Sequence, residues 1–273
     1  MTDSAINGIP KLGLGTFGRT GPEGLDALLA ALEVGYRHID TAQSYDTEAN
    51  VGEAVRRSGL GRHEVFITTK VADTNFEERD FLPSVERSLE TLGMQQVDLL
   101  LIHWPSHRDA VPFESYMTAL AEARGRGWTR LIGVSNFPIA DLKRAEGVLG
   151  AGQIATNQVE IHPYLQIPKL RDFARAAGVP LTAYMPLAKG RVGDDATLAR
   201  IAERHGVTAA AVALAFLMGE GHIAIPASSN RGRLEDNFAA GRVTLDESEM
   251  AEIRALDRGE RMIDPEKAPA WDD

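Results

Sequence analysis

Residues 36–52 read YRHIDTAQSYDTEANVG, and the pattern they set recurs along the chain. Arg37, His38 and Ile39 form a short strand-like run that delivers Asp40 and Thr41 at its end. A polar turn then presents Tyr45. An amphipathic helix is predicted from about Glu48, with Val51 and Val55 four apart on one face. Strand, loop and helix in that order place an acid and a phenol on one rim of a sheet. Taken alone, the same residues could be an aspartate capping a turn beside a half-buried tyrosine. The repeats on either side change that reading.

Upstream, residues 12–16 (LGLGT) form a first strand, and Leu25, Leu28, Leu29 and Leu32 mark a helix face that stops at Gly35. The helix after the quoted stretch stops at Gly59. Residues 65–70 (VFITTK) are a third strand, followed by Leu82, Val85, Leu89 and Leu92 on a helix ending at Gly93. Residues 97–103 are almost wholly apolar, as befits a strand buried on both faces, and a helix is expected over 113–124. Further strands are predicted at 131–134, 154–159, 181–184 and 223–225. The seventh is followed by helices near 197–205 and 209–218. Helices near 233–240 and 247–256 precede a tail closing on Ala268-Pro269-Ala270-Trp271. Eight strands alternating with helices predict an α/β fold: a single (β/α)8 TIM barrel domain over residues 1–273. The unit spacing of about 30 residues matches one-eighth of the ~250 typical of such barrels. An open doubly wound sheet is the runner-up.

Composition narrows the function. The chain has 273 residues, 44% of them hydrophobic, and no cysteine, which excludes disulfides, thiolate metal sites and cysteine nucleophiles. The formal net charge of −10 disfavours nucleic acid as a partner, while leaving room for a local basic pocket around one small phosphate. No secretory signal is read at the N-terminus and no apolar run reaches membrane-spanning length. A cytoplasmic monomer without a membrane partner is expected.

The functional face of a parallel barrel lies at the C-terminal strand ends. The residues closing each apolar run are Asp40, Lys70, His103, Ser135 with Asn136, Gln158, Tyr184 and Ser228, and Tyr45 lies one loop away. A phenol donates a proton poorly at neutral pH until its anion is stabilised. A buried ammonium, Lys70, lowers that cost, and Asp40 beside it keeps the ammonium charged. A neutral His103 can orient a carbonyl oxygen. The set suits protonation of an oxygen becoming an alkoxide, as in hydride addition to a carbonyl.

The runs GYRHIDTAQSYDTE, ITTK, LLLIHWP, GVSNF, ATNQVE, AYMPL and IPASSNRGRLEDN, in this order, resemble the aldo-keto reductases over residues 9–271. Within that family, the GEGHIAIPASSN run and the APAWD tail most resemble the bacterial 2,5-diketo-D-gluconate reductase B group. The resemblance implies Tyr45 as general acid, tuned by Lys70 and Asp40, with His103 orienting the carbonyl. It implies NADP(H) as cofactor, with NAD(H) a weaker alternative, and a small carbonyl or alcohol substrate, without metal. Gly15, Thr16, Ser135, Asn136, Gln158, Tyr184 and Leu187 match cofactor-contacting positions, Tyr184 being the ring on which the nicotinamide stacks. Ser228 and Arg233 match residues around the adenosine 2′-phosphate, and Asn237 an adenine contact. Phe17, Ala72 and Trp104 are expected to border the substrate pocket, Phe17 and Ala72 standing where relatives often carry tryptophan. Ala227 stands where the family usually has a lysine, which removes one charge from the 2′-phosphate site. Asp236, Met185 and Ala188 also depart from the family pattern, and Thr47 replaces a common asparagine.

Two motifs mislead. Residues 13–18 (GLGTFG) match the dinucleotide fingerprint G-x-G-x-x-G, but the following Arg19-Thr20-Gly21-Pro22 is expected to break the chain where a helix should start. His103 and His107 are spaced like a zinc pair, but Pro105 lies between them. Two rival functions are a barrel aldolase using Lys70 as Schiff-base nucleophile and a non-catalytic NADP-binding barrel subunit.

Overall fold

The computed structural model describes residues 5–272; residues 1–4 and 273, the ends of the predicted domain and part of the N-terminal stretch read for a signal, lie outside the described residues. A short hairpin, β1 (Ala5–Ile6) and β2 (Ile9–Pro10), opens the chain. Its turn is Asn7-Gly8, both at positive φ (50° and 76°), the conformation that suits the twist of a two-residue hairpin. Ile9 is buried with Phe66, Leu99, Leu101, Ala155 and Ile223, so the hairpin joins an apolar cluster contributed by four barrel strands.

Eight parallel strands follow: β3 (Leu14–Gly15), β4 (His38–Asp40), β5 (Phe66–Val71), β6 (Val97–Ile102), β7 (Thr129–Ser135), β8 (Ile154–Glu160), β9 (Leu181–Tyr184) and β10 (Ile223–Ala224). Each pairs with its sequence neighbours. The sheet closes on itself between the strands furthest apart in sequence: Gly13 N–H donates to Ala224 O (2.9 Å), Ala224 N–H to Lys11 O (2.8 Å) and Gly15 N–H to Pro226 O (2.9 Å). This is the expected (β/α)8 barrel. The glycine run at 13–18 serves this seam. A Cβ on Gly13 would stand 2.7 Å from His38 Nδ1, so the close approach requires glycine. As expected, no helix starts on Gly18, residues 16–20 being irregular; helix α1 (Gly21–Val34) begins three residues later, with Pro22 in its first turn, where its missing N–H would have had no helical partner.

The remaining helices are α2 (Glu48–Arg57), α3 (Glu78–Leu92), α4 (Phe113–Gly125), α5 (Ile139–Leu149), α6 (Pro168–Ala176), α7 (Ala196–His205), α8 (Ala209–Gly219), α9 (Arg231–Ala239) and α10 (Glu247–Arg254). No described helix is long and apolar enough to cross a membrane alone. The main core fills the layer between sheet and helices. After α10, residues 255–272 are irregular and tied at several points. Tyr164 O accepts the N–H groups of Arg258 and Glu260. The fully buried Glu160 carboxylate accepts those of Met262 (2.7 Å) and Ile263 (2.8 Å). Lys267 bridges to Asp73 (2.8 Å), and Asp272 accepts the N–H of Ile139 at the start of α5 (2.9 Å).

The seat of α2 matters because this helix continues directly from the turn bearing Tyr45. Gly52 lets it approach the end of α3, where an added Cβ would fall 2.2 Å from the Leu92 carbonyl oxygen. Gly52→Ala should therefore lower stability by about 1–3 kcal/mol, read as a lower urea midpoint at unchanged m value. An unchanged midpoint would show that α2 can move off α3 at no cost.

Candidate active site

Parallel register brings the strand ends to one rim. Asp40 pairs opposite Thr68, so Lys70 sits two residues further along the neighbouring strand. Lys70 is fully buried, and its Nζ donates to Asp40 Oδ1 (2.5 Å), to the Thr41 carbonyl (2.9 Å) and to Tyr45 Oη (3.5 Å). The other Asp40 oxygen accepts from Gln158 Nε2 (2.7 Å). His103 extends β6, its N–H bonded to Val71 O (3.1 Å). Its Nε2 lies 3.3 Å from Tyr45 Oη, and the two rings meet edge-on.

Electrostatics follow from burial. Burial alone would depress Lys70, but the adjacent Asp40 carboxylate, with Tyr45, holds it above the usual lysine range. An ammonium so held, with its protons assigned to three acceptors, is no free amine for Schiff-base chemistry. His103 is pushed well below the ordinary histidine range by burial and by the charges of Lys70 and Lys267, so it is neutral near pH 7. Tyr45 differs from the sequence expectation in net direction. Lys70 does pull its phenol down, but burial is the larger effect and Asp40 opposes the lysine, leaving the group raised. A raised phenol is a protonated one, and so a standing proton donor.

Beside this cluster, Asn136 adopts positive φ (62°), which an asparagine tolerates better than most residues. Its Nδ2 donates to the His103 carbonyl (3.0 Å) and to Ser135 Oγ (3.1 Å), and its Oδ1 accepts from Tyr184 Oη (2.8 Å). Ser135 Oγ donates to Gln158 O (2.8 Å). The predicted amide-binding residues and the predicted stacking ring thus form one network that continues through Gln158 to Asp40.

A cleft of about 1490 Å³ runs past these groups. It is lined by Asp40, Tyr45, His103, Ser135, Asn136 and Gln158, by Gly15, Thr16, Phe17 and Trp104, and by Tyr184, Leu187, Ser228, Arg233 and Asn237. Lys70 lies behind this wall. Ala72 is the misplaced expectation. It is buried and outside the lining, because its N–H is tied to Gln43 Oε1 (2.9 Å) where the chain enters the turn Asp73–Asn75. Phe17, beside Tyr45, and Trp104, next to His103, do line the cleft, as does Ile263. Phe17 is 69% exposed, the only large apolar side chain so exposed among the described residues, and meets the Tyr45 ring edge-on at 5.1 Å.

Several lining residues lie outside the sequence expectation. Arg19 lines the cleft and directly follows the glycine run. Residues 189–194 (KGRVGD) also line it, and their two basic residues among glycines after β9 were a readable phosphate signal. Ile263 arrives with the tail and left none. Arg19, Lys189, Arg191 and Arg233 bring basic groups to the cleft of a chain whose net charge is −10, beside Asp194 and Asp236 and with Arg191 paired to Glu260. With aromatic, amide and basic side chains among its lining, the cleft fits a nicotinamide dinucleotide.

A sequence model of the aldo/keto reductase family matches residues 11–258. Methylglyoxal reductase DkgB of Salmonella typhi is 47% identical over 265 residues, covering 97% of this chain and 99% of the relative. A 9,11-endoperoxide prostaglandin H2 reductase of Trypanosoma cruzi is 36% identical over 261 residues, 93% of this chain and 90% of its own. A crystal structure provisionally assigned as a 2,5-diketo-D-gluconic acid reductase B superposes with a TM-score of 0.94 at 43% identity, over 98% of this chain and 95% of that one.

The Tyr45 environment can be titrated directly. In protein carrying 13C at the tyrosine ζ carbon, Tyr45 should stay protonated beyond the usual tyrosine value of about 10. Lys70→Met removes the one cation favouring the phenolate and should raise the midpoint further. A midpoint that falls, or does not move, would contradict the assigned electrostatics.

Proposed function

The chain belongs to the aldo/keto reductase family, and on that premise we propose that it catalyses the reversible, NADPH-dependent reduction of aldehydes and ketones to alcohols. Carbonyl reduction is the activity of the family. The finer reading rests on one observation, the buried Asp40–Lys70 pair in contact with the phenol of Tyr45 at the wall of the cleft.

A bound reduced nicotinamide supplies the hydride. Everything else falls to this chain's side chains. Tyr45 gives its proton to the substrate oxygen as that oxygen gains negative charge. Lys70 stabilises the phenolate left behind, and Asp40 and the Thr41 carbonyl hold the ammonium in place. His103, neutral, has an N–H with which to fix the carbonyl oxygen. Ser135, Asn136 and Gln158 offer amide and hydroxyl groups to the nicotinamide carboxamide, and Tyr184 offers its ring face, its Oη being held by Asn136. In the reverse direction the Tyr45 phenolate takes the alcohol proton, so oxidation of secondary alcohols with NADP+ should gain at alkaline pH while reduction loses.

Substrate range follows from the wall. The catalytic end is apolar, one side is an exposed phenylalanine, and apolar pockets separate substrates by only about 1–3 kcal/mol per methylene. Small aldehydes and bulky ketones should both be accepted. That breadth accords with the names of relatives acting on methylglyoxal and on a prostaglandin endoperoxide.

General acid catalysis contributes about 10²–10⁴ in rate. Tyr45→Phe, which keeps the ring and loses the O–H, should reduce turnover by at least ~10² while NADPH still binds, as followed by quenching of intrinsic fluorescence. Turnover near the wild-type value would remove Tyr45 from the role. Cofactor choice is a separate prediction. Arg233 can pair with a 2′-phosphate through a charge-assisted contact, but Ala227 contributes no second charge. NADPH should be preferred over NADH by a modest ratio of kcat/KM, and Ala227→Lys should widen that ratio. A wild type that favours NADH would overturn the assignment.

A further inference from the structure

The phenol of Tyr45 is held by two long contacts, 3.3 Å to His103 and 3.5 Å to Lys70. These do not by themselves fix its position, so the backbone carrying it must. That backbone is the single turn Gln43–Tyr45, followed by Asp46 at positive φ (56°). Two residues before Tyr45, Gln43 ties the turn to the Ala72 N–H and to Asn75. Two residues after it stands Thr47, fully buried. Its Oγ1 is 2.8 Å from Thr16 Oγ1 and 2.8 Å from Thr41 Oγ1. Both partners are themselves fully buried.

Each of these contacts reaches a different part of the centre. Thr41 follows Asp40, and its carbonyl accepts from Lys70 Nζ. Thr16 follows β3 and lines the cleft. A hydroxyl carries one donor and two lone pairs, so Thr47 can donate to one neighbour while accepting from the other. A threonine does this without a bulky amide, and nothing in the proposed chemistry uses it.

We propose that Thr47 is a positioning residue for proton donation, its buried hydroxyl tying the turn that carries Tyr45 both to the strand end that holds Lys70 and to the wall of the cleft. This rests on Tyr45 being the acid. Without the hydroxyl, Thr16 and Thr41 lose a buried partner, the turn relaxes, and the phenol departs from Lys70. Reactive geometry is sensitive to such shifts, a displacement of about 1 Å costing on the order of 10² in rate.

The test compares Thr47→Val, Thr47→Ala and Thr47→Ser, each alone and combined with Tyr45→Phe, in NADPH-dependent reduction of an aromatic aldehyde. Thr47→Val should lower kcat about ten- to a hundredfold with the aldehyde KM little changed. Thr47→Ser should recover most of the loss relative to Thr47→Ala, because it restores only the oxygen. If Thr47→Val does not fold, the Ala–Ser comparison carries the same information. The alkaline limb of the kcat/KM profile should move to higher pH in Thr47→Ala, since a phenol further from Lys70 is harder to ionise. Asp40, which opposes ionisation, and neutral His103 are the other ionisable groups beside it. In the Tyr45→Phe background the Thr47 substitutions should cost nothing further. A Thr47→Ala variant that melts lower but keeps kcat and the alkaline limb, a serine as impaired as alanine, or multiplicative losses in the double variants would each overturn the inference while leaving Tyr45 as the acid. Near-normal turnover of Tyr45→Phe alone would remove the acid assignment and this inference with it.

Discussion

The ion pair between Lys70 and Asp40 is the constraint around which the rim is arranged. Both groups are buried in the barrel, where two ions lose several kcal/mol of hydration each and recover it only with close contact and full hydrogen bonding. The surroundings meet that demand through the Thr41 carbonyl on the ammonium and the Gln158 amide on the free carboxylate oxygen. A pair so built is weak evidence for stability, since an apolar pair of similar volume often does as well. What it provides is a fixed charge distribution. It keeps a cation beside Tyr45, helps to keep His103 neutral, and through Gln158 extends to Ser135, Asn136 and Tyr184. On the proposed function, acid chemistry and cofactor recognition share one hydrogen-bonded framework.

Much of this was legible in the sequence because it depends on strand ends. Apolar runs located each barrel strand to within a few residues, the helix after Tyr45 begins at Glu48 as its pattern indicated, and polar residues closing those runs do converge. What depends on non-periodic chain was harder to read. The Asn7-Gly8 hairpin carries a strong turn signal, but its strands are two residues each, too short to show alternation. Helices α5 and α6 are short and bury only two residues each, which gives their pattern few repeats. Ala72 was placed by its distance from a strand end, whereas a side-chain bond from Gln43, 29 positions away, decides where it lies. The net state of Tyr45 also escaped, because spacing identifies the neighbouring lysine but not how completely the phenol leaves water.

The tail illustrates the same limit. Its residues have no regular secondary structure, yet Glu160 takes two of its backbone N–H groups and Arg261 lies 4.7 Å over the Trp271 ring. These contacts hold the tail where Ile263 lines the cleft, and no local pattern records such long-range polar anchoring.

The seam that closes the barrel orders these events in time. Asp40 and Lys70 are 30 positions apart and lie on adjacent strands, so they can meet while much of the chain is still emerging from the ribosome. Gln158, 118 positions from Asp40, must come later, and the Gly13–Ala224 bond later still. Contacts of such separation are slow to form because loop closure precedes their reward. Gly15, whose N–H closes the seam on Pro226 O, pairs opposite Asp40, so the last strand does more than complete the barrel: it covers the sheet edge next to the buried ion pair.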